Sequence, residues 1–120
     1  MEIPERYVRL CLRVARHLDG FVDAYIGPPD WQRAIDAEPP ADPHELRDEA
    51  LSLADALERA DLEPDRRRWL GAQLGAIECA LAVRLLGTPM AWADEVERCL
   101  GVRPQRISED VIDAIHDRLD

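Results

Sequence analysis

Apolar residues recur along this chain at spacings of three and four, broken by prolines and glycines, and that rhythm predicts helices throughout. The most apolar stretch, residues 65–86 (DRRRWLGAQLGAIECALAVRLL), carries only Glu78 and Arg84 as charges between Trp69 and Leu86. Leu70, Leu74, Ile77, Leu81 and Leu85 share one face of a helix, and Gly71, Gly75, Cys79 and Ala82 make a second face of small side chains. A helix apolar nearly all round is buried on several sides, so this segment is expected to be the centre of a soluble domain. It is too short, and at Gln73, Glu78 and Arg84 too polar, to span a membrane.

The other elements follow from the same rhythm. Pro4 suits a first helical turn, and the stripe Tyr7, Cys11, Val14, Leu18, Phe21, Tyr25 predicts one helix running through Gly20 to about Ile26, where Gly27, Pro28 and Pro29 stop it. A short helix from about Pro29 to Ala37 has Trp31 and Ile35 as its apolar pair, and residues 38–42 form a stiff connector. Asp42 is a good N-cap with Pro43 behind it, and Leu46, Ala50, Leu53, Leu57 and Ala60 face inward. Arg47, Asp48, Glu49, Asp55, Glu58 and Arg59 then face water.

After the central helix, Gly87 supplies a left-handed stop and Thr88 a cap for a helix over residues 89–100 with Trp92, Val96, Cys99 and Leu100 inward. Ser108 caps a last helix whose apolar side is Val111, Ile112, Ile115 and Leu119, with Glu109 and Asp110 complementing the dipole. No segment alternates with the period of a strand. The expectation is an all-α bundle of five to six helices around residues 65–86, forming a single domain over residues 1–120.

Length and charge bound the partners. A chain of 120 residues buries roughly two-thirds of its unfolded surface, enough for a real core. Acidic residues outnumber basic ones 25 to 15, a net charge of −10, which speaks against nucleic acid and against an anionic membrane surface. The amino terminus, MEIPERYVRL, lacks the pattern of a secretory leader, so a cytoplasmic location is expected. Cys11, Cys79 and Cys99 are far apart, form no Cys-x-x-Cys pair, and are expected to pack as small apolar residues.

Candidate chemistry is sparse. His17, His44 and His116 fall in three different helices and none belongs to a His-Glu-x-x-His motif, so no metal ligands are assigned. Ser52 and Ser108 lie in no Gly-x-Ser-x-Gly turn, and no Gly-rich phosphate loop exists. No catalytic or cofactor-binding residue is assigned either. Within HLDGFVDAYIGPPDW, a continuous helix would put Asp19 and Asp23 on one face and His17 about 160° from Asp19, with Arg16 placed to pair with Asp19. Gly71 and Gly75 would let another helix approach closely. Glu78 and Arg84, charges on a largely buried helix, either pair or line a cleft.

Three segments, RYVRLCLRVARHLDGFVDAYIGPPDW, RRRWLGAQLGAIECALAVRLLG and ADEVERCLGVRP, resemble the amino-terminal part of a group of uncharacterised actinobacterial proteins. Those longer proteins are similar in character to zinc-dependent peptidases of the Taq carboxypeptidase type, and the resemblance runs from about Tyr7 to Leu119. It implies that these helices wall a substrate cleft, with His17, Asp19, Asp23 and Tyr25, together with Glu78 and Arg84, as candidate groove-lining residues. The zinc motif of such peptidases lies beyond this region and is absent from this sequence, so neither metal ligands nor a catalytic glutamate carry over. The chain by itself is expected to be non-catalytic and without a cofactor, zinc belonging only to a longer relative. The alternative is a stand-alone helical interaction or dimerisation module. On either reading Val111, Ile112, Ile115 and Leu119 are expected to meet a second copy or the remainder of a longer protein.

Overall fold

A computed structural model describes residues 2–119, and among them every regular element is a helix. The order is α1 (Ile3–Ala15), α2 (Pro29–Ala37), α3 (Pro43–Glu58), α4 (Pro64–Ala80), α5 (Trp92–Leu100) and α6 (Glu109–Leu119). α4 runs on into a single π-helical turn, Leu81–Leu85. The protein is all-α, and its helices pack against one another as a bundle.

The core is a three-helix contact of α1, α3 and α4. Leu10 and Val14 of α1, Leu46, Ala50, Leu53 and Leu57 of α3, and Leu70, Leu74, Ile77 and Leu81 of the central segment form one cluster. These are the residues the four-three rhythm puts on inward faces. Burying each leucine contributes roughly 1.5–3 kcal/mol relative to leaving it in water. α2 packs on α1 and buries Ile35, while α5 lies on α4 without burying any residue of its own.

Polar groups close the ends and lock the helices together. The Asp42 carboxylate accepts from the His44 N–H at 2.8 Å, and the Glu63 carboxylate accepts from the N–H groups of Asp65 and Arg66. The Arg67 guanidinium donates to the carbonyls of Ala60 and Leu62, closing the α3–α4 connection. Arg13 grips Glu38 with two parallel bonds of 3.0 Å, tying α1 to the end of α2, and Arg6 reaches Glu49 of α3 at 3.1 Å.

Four expectations are corrected. α1 ends at Ala15, not near Ile26: the N–H groups of His17 and Leu18 both turn to the Val14 carbonyl, and Gly20 takes a left-handed φ of 77°. Leu18 and Phe21 still pack on the core, because a turn closed by Phe21 N–H to Leu18 O keeps both on the inner side. The continuous apolar stripe is therefore real, but the helix is not. Arg16, freed from any helical partnership with Asp19, donates to the backbone carbonyls of Ile35 and Glu38.

The central helix changes to π geometry at Leu81, the Leu86 N–H bonding back to the Leu81 carbonyl, before Gly87 turns left-handed as expected. α5 begins at Trp92 rather than at residue 89; the Thr88 N–H is drawn back to the Ala82 carbonyl, and Ala91 occupies the N-cap position without a side-chain bond. Gly71 and Gly75 do not admit a close helix: a Cβ at Gly71 would make ordinary contact with Leu57, and one at Gly75 would meet open space.

α6 stands apart. Every residue from 105 to 119 is exposed, and α6 has no substantial packing on the other described elements. The radius of gyration is 17.9 Å, where a compact chain of this length has about 14 Å, and the long dimension reaches 53 Å.

Candidate binding groove

The residues after α1 build the principal concavity. With Gly20 left-handed, residues 21–27 turn back as an irregular strap across the side of the bundle. Tyr25 anchors the strap: its hydroxyl donates to the Pro28 carbonyl at 2.8 Å, and its ring lies over Gly27, where a Cβ would stand 2.5 Å from the phenol oxygen. A side chain at position 27 would have to displace that ring.

Between this strap, α1, α4 and the end of α5 lies a groove of about 840 Å³. Val8, Cys11 and Leu12 come from α1, Phe21, Val22 and Ala24 from the strap, and Gln73, Ala76, Ile77 and Ala80 from α4. Those four α4 positions share one face at 100° per residue, and the alanines leave the space. Trp31 of α2, under the Arg9 guanidinium at 5.2 Å, closes one side; Cys99 and Leu100 of α5 close another. Volume and apolar lining are those of a binding site rather than a packing defect.

The Tyr7 phenol and the Cys11 and Cys99 thiols on the lining favour their neutral forms. Burial, with the Cys11 thiol beside it, pushes the Tyr7 phenol well above its ordinary value, and burial raises the Cys11 thiol as well. Burial and contact with the Cys79 thiol push Cys99 up to about 11. None of these groups is a thiolate or phenolate near neutral pH, so none is an activated nucleophile or a poised base. Asp23 is the acidic residue on the lining. Around Tyr25 the groove continues into a smaller recess of about 290 Å³ bordered by Arg16, Gln32 and Asp36.

The six residues singled out by sequence do not converge. Asp23 and Tyr25 line the groove. His17 Nε2 is 2.7 Å from the Ala41 carbonyl, which fixes the ring against the connector before α3, and Asp19 is exposed in the turn. The helical-face relation between His17, Asp19 and Asp23 lapses with the helix. Glu78 is clasped by Arg47 at 2.9 Å and Arg98 at 2.6 Å, and Arg84 pairs with Glu95 of α5. That makes both structural ion pairs between helices. Among the described residues no three His, Cys, Asp or Glu side chains come together as a metal site.

The lining residues that sequence reasoning missed are Val8, Leu12, Phe21, Val22, Ala76 and Trp31 as a set, since each reads as core. The signal was the strap itself, FVDAYIG, which carries a single charge yet follows a glycine. Comparison with protein families, with characterised proteins and with solved structures yields no match to this chain.

Proposed function

We propose that this chain is a non-catalytic helical interaction module whose groove receives the apolar face of an amphipathic helix. The observation that carries the reading is the coexistence, on one chain, of an unfilled apolar groove and an unpacked helix with a matching stripe. Helix-in-groove recognition uses this pairing: side chains at i, i+3, i+4 and i+7 enter a trough while the polar face stays wet. A floor of thiols, phenol and alkyl groups suits such an occupant, with Asp23 as the charged group on the lining.

A second reading is favoured by Asp23 and Tyr25, which do sit on the groove as a cleft-walling domain would require. In it, the module is one wall of a substrate cleft in a longer metallopeptidase-like protein, the resemblance noted above supplying the kind of protein. The occupant would then be an extended peptide.

One assay separates the two. In the full-length chain carrying Ile112→Glu and Ile115→Glu, the groove is free of any α6 from this protein. A labelled helical peptide with a Val/Ile/Leu stripe should bind and shift the fluorescence of Trp31, and Val8→Glu in the groove should abolish binding. Tighter binding of an extended, proline-containing apolar peptide would favour the cleft wall. Equal binding of a scrambled helix peptide, or none at all, would remove the interaction module.

A further inference from the structure

The groove and α6 are complementary parts that a single chain leaves apart. Resting on the interaction-module reading, we propose that α6 of one copy seats in the groove of a second copy, and reciprocally, as a twofold exchanged dimer.

An eleven-residue helix is too short to persist alone in water, so α6 needs a surface to pack on. Val111, Ile112, Ile115 and Leu119 span about 100° of its circumference, while Glu109, Asp113 and Asp117 lie on the opposite side. These four side chains are between 41% and 78% exposed, and none of them is buried against another described element.

The course of the connector decides whose groove α6 can reach. Leu100 is on the groove's rim, and the chain leaves it through a left-handed Gly101. Arg103 then bonds Asp94 at 2.7 Å and Glu97 at 2.9 Å. On α5 those two carboxylates lie on the side away from Cys99, which faces the groove, so Arg103 directs the connector over the outer surface. From there residues 104–108 extend at most about 17 Å before α6 begins at Glu109. A second copy presents its groove to a helix displayed in this way. Exchange about a twofold axis satisfies both stripes and both grooves with one kind of contact, and closes the assembly.

The test uses the whole chain with a photoreactive benzophenone amino acid at position 112, mixing isotopically heavy and light copies. Irradiation should join position 112 of one copy to the groove of the other, at α1 near Val8 or α4 near Ala76. Ile112→Glu with Ile115→Glu, and separately Val8→Glu, should each raise the dimer dissociation constant by about tenfold or more, with the helical circular dichroism falling by no more than the share of α6. Joining within one copy would overturn the exchange and make α6 a lid on its own groove. Joining of α6 to α6, with Val8→Glu still dimeric, would overturn it in favour of direct stripe pairing. A chain that scatters as a monomer at all concentrations overturns it too. The peptide assay above then shows separately whether the groove binds a helix at all.

Discussion

Arg98 Nη2 of α5 stands 2.6 Å from Glu78 Oε2 of α4, while the other oxygen of the same carboxylate takes Arg47 of α3 at 2.9 Å. α5 buries no side chain, so this clasp and the Arg84–Glu95 pair are its principal polar ties to the bundle. The wall of the groove formed by Cys99 and Leu100 depends on it. Glu78→Gln should cost roughly 1–3 kcal/mol, toward the lower end because both arginine side chains are about half exposed and can turn to water. Hydrogen exchange should speed up in α5 while α1, α3 and the first turns of α4 keep their protection. Uniform loss across all helices would mean that the clasp holds the core, not the wall.

Leu74 and Leu81 are at most 2% exposed and lie at the meeting of α3 and α4. Truncating either to alanine leaves a cavity and should destabilise the domain by roughly 2–5 kcal/mol in urea melts, whereas Leu100→Ala on the open rim should cost well under 1 kcal/mol. Equal costs at all three positions would contradict the assignment of the core.

Arg13 holds the Glu38 carboxyl below its ordinary value of 4.5. A lowered value in the folded state means that the pair's stabilisation is full above pH 4.5 and fades as pH falls through the folded-state value. The native chain should therefore exceed Glu38→Gln in stability at neutral pH by a small margin, since the carboxylate is partly exposed, and lose that margin in acid. A margin independent of pH would show that the two residues act through packing instead.

Cys99 should be a sluggish thiol. With its value raised to about 11, its alkylation by iodoacetamide at pH 8 should be far slower than in the urea-unfolded chain and should accelerate as pH rises toward that value. Rapid folded-state alkylation at pH 8 would contradict the burial of Cys99 against the Cys79 thiol.

The inward faces of α2, α3 and the central helix were legible because each is continuous, capped by proline or an acidic side chain, and repeats every three or four residues. The end of α1 was not, because the turn at Gly20 keeps Leu18 and Phe21 in phase with the stripe, and periodicity reports which side a residue takes rather than whether the backbone is helical. Glu78 and Arg84 were recognisable as charges that need an answer, and Arg47, Arg98 and Glu95 answer them. The groove was hidden since its lining comes from five separate segments that each look like core. Its only trace in sequence was an apolar strap after a glycine.

Whether α6 and the groove of different copies meet is tested most directly by a mixture of two disabled chains. Ile112→Glu with Ile115→Glu retains an intact groove, and Val8→Glu retains an intact α6. Each should sediment alone as a monomer. Mixed in equal amounts they should form a heterodimer through one remaining helix-in-groove contact, weaker than the native dimer and strengthened by added salt, which screens the repulsion between two chains of charge −10. If the mixture sediments as the sum of two monomers while the native chain is dimeric, α6 does not enter the groove of its neighbour, and the exchange is contradicted.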